Sequence, residues 1–323
     1  MALAEIAKTL TEIEKTLEKR VVSTKTPKHS VADIVLTLNF KPPQPKPLPR
    51  RFELGGYEYR SLLGAGGFAV AVLAVDKLGR SWVLKIPHTL FYVLFAGAEP
   101  TATIDPRELK ALQREYEALR RLRHPHIVKL GHRGKSDPPY LAVEFCENGS
   151  AAPLAGRLRF RDVVLIGAQT ADALAYAHKQ GVVHHDVKPG NLLFTREGLL
   201  KVSDFGAAWL AGVSGGSTRV YSRGYAAPEQ VFADAGDVGP WSDVWMLGAT
   251  LYALTVGGTI LPLSSYEDGL RMAWRRGRLV FEAKLGNTGF KRLLREVLTV
   301  EVEDRPSMVK LRDRLAELYF ELS

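Results

Sequence analysis

Two short polar motifs in the second half of the 323-residue chain constrain its fold more than any other feature. The first motif spaces Asp186, Lys188 and Asn191 as Asp-x-Lys-x-x-Asn. After a short turn, the second motif follows as Asp204-Phe-Gly206. Because so specific a combination rarely arises by chance, it indicates one family of folds if the flanking segments agree with it.

The rest of the chain predicts strands first and helices later. Helical spacing of apolar residues begins with Lys110–Arg123 and dominates after Arg161. The earlier β-type runs are each bounded by glycine or polar turns: Tyr57–Leu63, Ala69–Asp76 and Ser81–Ile86. The sequence therefore predicts a first lobe built mainly of sheet and a second lobe built mainly of helix.

The first 50 residues are predicted to divide into a helix and a linker. Apolar residues at spacings of three and four, with Lys and Glu between them, predict an amphipathic helix over residues 1–20. Residues 21–50 break this pattern, and the proline-rich run Lys41–Pro49 cannot donate regular backbone hydrogen bonds. We expect an extended spacer there, in preference to a recruitment motif.

The composition limits the compartment and the partners of the protein. The formal charge of +9 is spread along the chain without a nucleic-acid motif, so we expect no nucleic-acid partner. The single cysteine, Cys146, excludes an intramolecular disulfide and fits a reducing compartment. The longest apolar stretches, Leu90–Ala98 and Met246–Val256, fall short of the ~20 residues that cross a bilayer. We therefore expect a cytoplasmic protein without a membrane span.

A glycine-rich segment, residues 63–71, lies between two of the predicted strands. Its glycines would let backbone amides approach a polyphosphate, although glycine-rich hairpins are common. A dinucleotide-binding loop would continue into a helix, whereas Val70 continues as strand. Lys85 follows in the next strand and Glu115 in the next helix, but alone they would be an exposed ion pair of little consequence.

Taken in order, these motifs resemble those of the eukaryotic-type, or Hanks-type, serine/threonine protein kinases over roughly Tyr57 to Leu318. The His-His-Asp sequence that contains Asp186 is similar to bacterial members of that family. The resemblance implies an α+β, two-lobed protein kinase fold, with a β-rich N-lobe that holds one main helix and a mostly α-helical C-lobe. It implies an N-lobe and hinge over residues 51–149 and a C-lobe over residues 150–323.

The resemblance also implies a role for each polar residue of the two motifs. Asp186 would be the catalytic base that accepts the proton of the substrate hydroxyl. Asn191 and Asp204 would hold Mg²⁺, or Mn²⁺, against the phosphates of ATP. Lys188 would contact the γ-phosphate, and a lysine here is typical of kinases that phosphorylate serine and threonine. The expected partners are therefore proteins that present serine or threonine hydroxyls.

The same resemblance implies a nucleotide site between the lobes. Lys85 would hold the α- and β-phosphates, and Glu115 would orient it. Val143 would be the gatekeeper of the adenine pocket, while Glu144 and Cys146 would meet adenine through backbone groups, so that their side chains are free to vary. The remaining expected nucleotide-binding residues are Gly64, Ala65, Gly66, Gly67, Phe68, Ala71, Val83 and Leu193.

Further residues are expected to support the site. Glu229 would form a structural pair with Arg305, and Asp243 would bind the backbone of the catalytic loop. Ser222 would hydrogen-bond to Asp186 and to Lys188. A column of side chains would link the two lobes: Leu119, Leu130, His184 and Phe205.

Departures from the family pattern carry further expectations. Ala71 stands for a usual valine and Val83 for a usual alanine, which indicates either a compensating pair against the adenine ring or independent drift. His185 stands for the arginine that, in the family, normally clamps a phosphate on the activation loop, the segment between Asp204-Phe-Gly206 and Ala227-Pro-Glu229. A neutral histidine cannot make that bidentate contact, so we expect activity without phosphorylation of the loop.

The connection between the phosphate-binding lysine and the helix glutamate contains the apolar run Leu90–Phe95. An exposed run of this kind would be adhesive. We expect the N-terminal helix to cover residues 90–98, in preference to a second molecule. Either contact would link this segment to self-association or autoinhibition.

Two rival functions stay open at this point. One is a pseudokinase, a scaffold that binds nucleotide without transfer, and its usual mark is a missing catalytic residue. All of the expected catalytic and metal-binding residues are present here. The other is a small-molecule kinase of the same fold, against which the segment Ala227-Pro-Glu229 and the motif Asp243–Gly248 argue.

Overall fold

A computed structural model of the protein describes residues 46–47, 53–91, 104–134, 139–211, 221–281, 285 and 287–322. Its elements form a β-rich N-lobe followed by a mostly helical C-lobe, which confirms the α+β, two-lobed fold. The helix predicted over residues 1–20 lies outside the described residues, as does most of the linker predicted over residues 21–50. The division between lobes at residue 149 stays a prediction.

An antiparallel sheet forms the N-lobe, with strand order β1-β3-β4-β5-β7-β6 and with β2 paired to β3. The strands are β1 (Lys46–Pro47), β2 (Glu53–Leu54), β3 (Tyr57–Ala65), β4 (Ala69–Asp76), β5 (Ser81–Pro87), β6 (Leu130–Gly134) and β7 (Tyr140–Glu144). Buried and more accessible residues alternate along β4, because successive side chains of a strand point to opposite faces. One face packs into a core that contains Tyr59, Val72 and Ile86.

The first strand of this sheet falls inside the predicted linker. Lys46 pairs with Leu62, and Pro47 pairs with Ser61. Proline donates no backbone hydrogen bond, so an edge position is where it can join a sheet. Residues 46–47 of the predicted linker therefore belong to the N-lobe sheet, whereas the bounds of the linker stay a prediction.

The apolar run after β5 is described only at its start. Leu90 is buried in the N-lobe core, and Phe91 packs against that core. Leu90 is therefore covered within the lobe, and Phe91 is partly covered. The remaining residues, 92–98, lie outside the described part of the chain, so their contact with the N-terminal helix stays a prediction.

Helix α1 (Pro106–Leu119) begins and ends four residues earlier than the predicted Lys110–Arg123. Its start is set by Asp105, whose side chain accepts a hydrogen bond from the Arg107 N–H, and by proline at the first helical position. After Leu119 the backbone tightens into turns that lead to His124-Pro125. The apolar spacing alone therefore predicted a helix of the right length in a shifted position.

The C-lobe is built around helix α4 (Pro240–Val256), which is buried along most of its length. Its helices are α2 (Phe160–Lys179), α3 (Pro228–Val231), α4 (Pro240–Val256), α5 (Tyr266–Arg275), α6 (Thr288–Val297) and α7 (Met308–Glu321). Apart from a few polar side chains such as Asp243, helix α4 is apolar around its circumference, which is typical of a core helix, and its Trp245 is fully buried. Among the described residues, no helix combines the length and the apolar character needed to cross a membrane.

Short strands interrupt the helices of the C-lobe and hold the polar motifs. They are β8 (Val182–Val183), β9 (Leu192–Phe194), β10 (Leu200–Val202) and β11 (Trp209–Leu210). Strand β9 pairs with β10, and β8 pairs with β11. The helical periodicity after Arg161 did not predict these strands, because two or three residues are too few to show a period. The loop between β8 and β9, residues 184–191, carries the first polar motif.

Candidate active site

The backbone of the loop between β8 and β9 is fixed from below by Asp243 on α4. The fully buried Asp243 carboxylate accepts hydrogen bonds from the N–H groups of His184 and His185, both at 2.8 Å. It also lies 2.8 Å from His178 Nε2. Burial opposes ionisation of Asp243, but the hydrogen bond with His178 and the electrostatic effect of the neighbouring histidines outweigh it and lower the pKa of Asp243. Asp243 thereby holds the backbone of the loop, which is the role expected of it. Within this loop His185 has a φ of 64°.

Asp186 lies at the centre of a hydrogen-bond network. Ser222 donates to Asp186 Oδ1 at 2.6 Å, and Lys188 donates to Asp186 Oδ2 at 2.8 Å. Lys188 also donates to Ser222 Oγ at 2.8 Å. The Asn191 amide nitrogen donates to the Asp186 carbonyl at 2.7 Å. The structure thus brings these four expected residues together and holds the Asp186 carboxylate in one orientation.

A second cluster lies where the N-lobe meets the second polar motif. Lys85 Nζ lies 2.7 Å from Glu115 Oε1 and 2.9 Å from Asp204 Oδ1. Burial opposes the charge on Lys85, but the two carboxylates outweigh it and raise its pKa. In return, the Lys85 ammonium lowers the pKa of Asp204 to about 2. Burial raises the pKa of Glu115, and the Lys85 ammonium opposes that shift. Lys85 and Asp204 are therefore charged at neutral pH, and Lys85 is directed into the site.

Asn191 and Asp204 present oxygen atoms that suit a hard divalent cation. The side-chain amide nitrogen of Asn191 donates to Asp186, which leaves the side-chain oxygen of Asn191, Oδ1, to bind a metal. Together with the Asp204 carboxylate, this donor set fits Mg²⁺, which usually keeps few protein ligands beside phosphates and water. Over the described ranges there is no group of three or more His, Cys, Asp or Glu side chains that could hold a metal by itself.

A cleft of about 420 Å³ opens beside these clusters and contains most of the expected nucleotide-binding residues. The expected residues in its lining are Gly64, Ala65, Gly66, Ala71, Val83, Lys85, Val143, Glu144, Cys146 and Leu193. Gly67 and Phe68, also expected to bind nucleotide, are not part of this lining, because they lie at the tip of the loop. The lining adds residues that were not expected: Leu63, Val128, Phe145, Glu147, Gly149, Gly190 and Ser203.

Most of the added residues could have been anticipated. Leu63 precedes the first expected glycine, Gly190 and Ser203 lie inside or beside the polar motifs, and Glu147 follows the hinge strand. Val128 is different, because it comes from the loop between α1 and β6. Its place in the cleft depends on tertiary contact, since its N–H donates to the Val202 carbonyl at 3.0 Å.

The side chain of Glu144 is not free to vary, contrary to expectation. Its carboxylate lies 3.1 Å from Nζ of the buried Lys201, and it accepts a hydrogen bond from the Lys129 N–H at 2.9 Å. A buried ammonium needs such a partner. The expectation was wrong because Lys201 comes from β10, far away in sequence. Burial raises the pKa of the Cys146 thiol to about 12, so this cysteine stays protonated.

Ala71 and Val83 are neighbours on the same wall of the cleft. The register of β4 and β5 pairs Ala71 with Lys85, which places Val83 diagonally across from Ala71. Both side chains line the cleft. This diagonal placement on one wall of the cleft favours the compensating pair over independent drift.

We predict that Ala71→Val weakens ATP binding about fivefold, because two large side chains would then crowd the adenine ring. The measurement is the ATP affinity of Ala71→Val, of Val83→Ala and of the double variant. In the double variant the affinity should recover most of the loss. An unchanged affinity in Ala71→Val would leave independent drift as the explanation.

The supporting residues occupy the expected positions. Arg305 forms two hydrogen bonds with Glu229, at 2.6 and 3.0 Å, and both side chains are fully buried. The rings of His184 and Phe205 lie 4.5 Å apart between centroids. Leu119 is buried in the core cluster that contains Phe205, and Leu130 packs against this cluster. That the four side chains form one column linking the lobes stays a prediction.

Comparison with known proteins follows the same motifs. The family model for the protein kinase domain matches residues 57–315. CBL-interacting protein kinase 4 of Oryza sativa subsp. japonica is 37% identical over 235 residues, which cover 69% of this chain and 49% of that protein. Serine/threonine-protein kinase SIK2 of Gallus gallus is 30% identical over 275 residues, covering 82% of this chain and 32% of that protein. This chain thus spans about half, or less, of the length of these relatives.

Proposed function

Since the chain belongs to the protein kinase family, we propose that it transfers the γ-phosphoryl group of ATP to serine or threonine hydroxyls of proteins. The observation that carries the proposal is that Lys85 contacts Glu115 and Asp204 at the same time. This contact joins the N-lobe to the second polar motif beside the cleft. It supports a site that is assembled before the substrates bind, which lowers the entropic cost of transfer.

In the proposed reaction, Asp186 accepts the proton of the attacking hydroxyl while that oxygen bonds to the γ-phosphorus. The bond from phosphorus to the bridging oxygen breaks, and ADP leaves. Lys188 lies close to Asp186 and places its charge beside the transferring phosphoryl group. Lys85 balances the charge of the α- and β-phosphates.

Asn191 and Asp204 are the residues that would hold Mg²⁺, with Mn²⁺ as a substitute. When bound, the ion neutralises charge that develops on the phosphates during transfer. The paired position of Asp204 beside Lys85 keeps its carboxylate ionised and ready to bind a cation. A complete set of these residues argues against the pseudokinase alternative.

Protein acceptors are favoured over small molecules by the C-terminal part of the activation loop. Tyr221 and Arg223, on either side of Ser222, both contact Glu267 on α5, at 3.2 and 2.7 Å. This segment is therefore anchored to the C-lobe next to Asp186, where an extended peptide would lie.

We infer a cytoplasmic location from the single, buried cysteine.

Incubation with γ-labelled ATP, Mg²⁺ and a generic protein acceptor tests this function, with Asp204→Ala as the matched inactive control. The proposal expects label on serine or threonine of the protein and none with Asp204→Ala. Label transferred only to small-molecule acceptors would support the second alternative. Nucleotide binding without transfer to any acceptor would support the scaffold.

We predict that activity does not depend on phosphorylation of the activation loop. His185 is buried, its Nε2 has no hydrogen-bond partner among the described residues, and burial lowers its pKa. It is therefore neutral at pH 7 and cannot hold a phosphate as arginine would. Phosphatase-treated protein should keep the transfer rate of untreated protein. The same rate is expected of variants in which one hydroxyl residue of the loop is replaced at a time: Ser214, Ser217, Thr218 or Tyr221.

Ser222 is excluded from that set because its hydroxyl contacts Asp186 and Lys188. Its loss is expected to slow transfer directly. A rate that falls more than tenfold on phosphatase treatment, with Ser222 intact, would overturn the prediction.

A further inference from the structure

His88 directly follows β5 and reaches the glycine-rich loop. The register of β4 and β5 pairs Ala69 with Pro87, which brings the next residue, His88, level with the loop between β3 and β4. His88 Nε2 lies 2.8 Å from the carbonyl oxygen of Gly66. Since a carbonyl oxygen only accepts, Nε2 carries the proton and donates it to this hydrogen bond.

Gly66 is the point at which the loop turns back. Its N–H donates to the Ala69 carbonyl at 2.9 Å, so both backbone groups of Gly66 are engaged. Packing contributes little here, because a Cβ added at Gly64 or at Gly67 would meet no atom within 4 Å. The conformation of the loop therefore depends on its hydrogen bonds, and His88 provides one that comes from a side chain outside the loop.

The Gly66 carbonyl belongs to the peptide unit that contains the Gly67 N–H. A peptide unit is planar and trans, so a held carbonyl also fixes the direction of that N–H. Polyphosphates bind to backbone amides that point in fixed directions. Gly66 itself lines the cleft in which the proposed function seats ATP.

We propose that His88 is a positioning residue that holds the Gly66–Gly67 peptide in the orientation that binds the phosphates of ATP. The inference rests on the proposed function. His88 does not line the cleft, so it would act on the nucleotide only through the loop. Because the contact serves phosphates and not adenine, its loss should affect the two halves of the nucleotide differently.

The experiment compares the affinities of the full chain for adenosine and for a non-hydrolysable ATP analogue with Mg²⁺, measured by calorimetry. His88→Ala should bind the analogue about three- to tenfold more weakly, the effect of one lost hydrogen bond, and adenosine as before. His88→Gln places an amide N–H near the position of Nε2 and should restore the affinity to within about twofold. His132→Ala, an exposed histidine on the edge strand β6, is the matched control and should change neither affinity.

His88→Asn provides a second loss of the contact, because its polar side chain is too short to reach Gly66, and it applies if His88→Ala does not fold. Equal weakening of adenosine and analogue would mean a general structural role and would overturn the inference. Unchanged analogue affinity in both shortened variants would overturn it as well. If the wild-type protein binds no analogue, the proposed function itself fails; if it binds and the variants match it, only the role of His88 fails.

Discussion

Replacing Asp186 by Asn should reduce the rate of phosphoryl transfer about 10²- to 10⁴-fold, the range that a positioned general base contributes. The substitution keeps the shape of the side chain, but an amide cannot accept the proton of the substrate hydroxyl. ATP affinity should stay within about twofold, because Asp186 contacts Lys188, Asn191 and Ser222 and does not line the cleft. The measurement is kcat and nucleotide affinity on the same preparation.

A matched control for Asp186→Asn is Asp268→Asn, which makes the same chemical change at an exposed position of α5. It should leave both quantities unchanged. If Asp186→Asn kept more than a tenth of the wild-type rate, another group would have to accept the proton. The assignment of the base would then be wrong, although the fold would stand.

Glu229→Gln should lower the free energy of unfolding by about 3–5 kcal/mol, because it leaves the buried Arg305 guanidinium without a counter-charge. The two side chains are fully buried and share two hydrogen bonds. Ser242 also donates to Glu229, at 2.7 Å, so the carboxylate is the acceptor for several donors. Urea titration followed by circular dichroism measures the loss.

A double variant separates the unpaired charge from the pair as a whole. Glu229→Gln combined with Arg305→Met removes both charges and should recover at least half of the loss, since a buried pair contributes little beyond an apolar replacement. Arg107→Gln is the exposed control, because the Arg107 side chain is 82% exposed beside Asp105, and this substitution should leave the free energy of unfolding close to the wild-type value. A loss below about 1 kcal/mol in Glu229→Gln would contradict the role of the pair.

The residues that carry the chemistry were predictable because their order along the chain is specific. The contacts of Asp186, of Lys85 and of Glu229 all involve motifs whose residue types and spacing are visible in the amino-acid sequence. Strand β4 was also predicted at its correct bounds, because glycine or polar turns flank its run of apolar residues on both sides.

The contacts that could not be predicted from the sequence join segments that are distant along the chain. Lys201 and Glu144 lie on different elements, and neither residue indicates by itself that the two form an ion pair. The contact of His88 with Gly66 is of the same kind, because it follows from strand register and not from a motif. The position of α1 was missed for a local reason, since the apolar spacing was given more weight than the Asp105-Pro106 start signal.

The most direct test is a crystal structure of the protein with Mg²⁺, a non-hydrolysable ATP analogue and a serine-containing peptide. We predict a cation bonded to the side-chain oxygen of Asn191 and to a carboxylate oxygen of Asp204, each at about 2.0–2.1 Å. The serine hydroxyl should lie within about 3 Å of the Asp186 carboxylate. Bound nucleotide without a cation at those oxygens, or a serine hydroxyl directed away from Asp186, would contradict the proposed reaction.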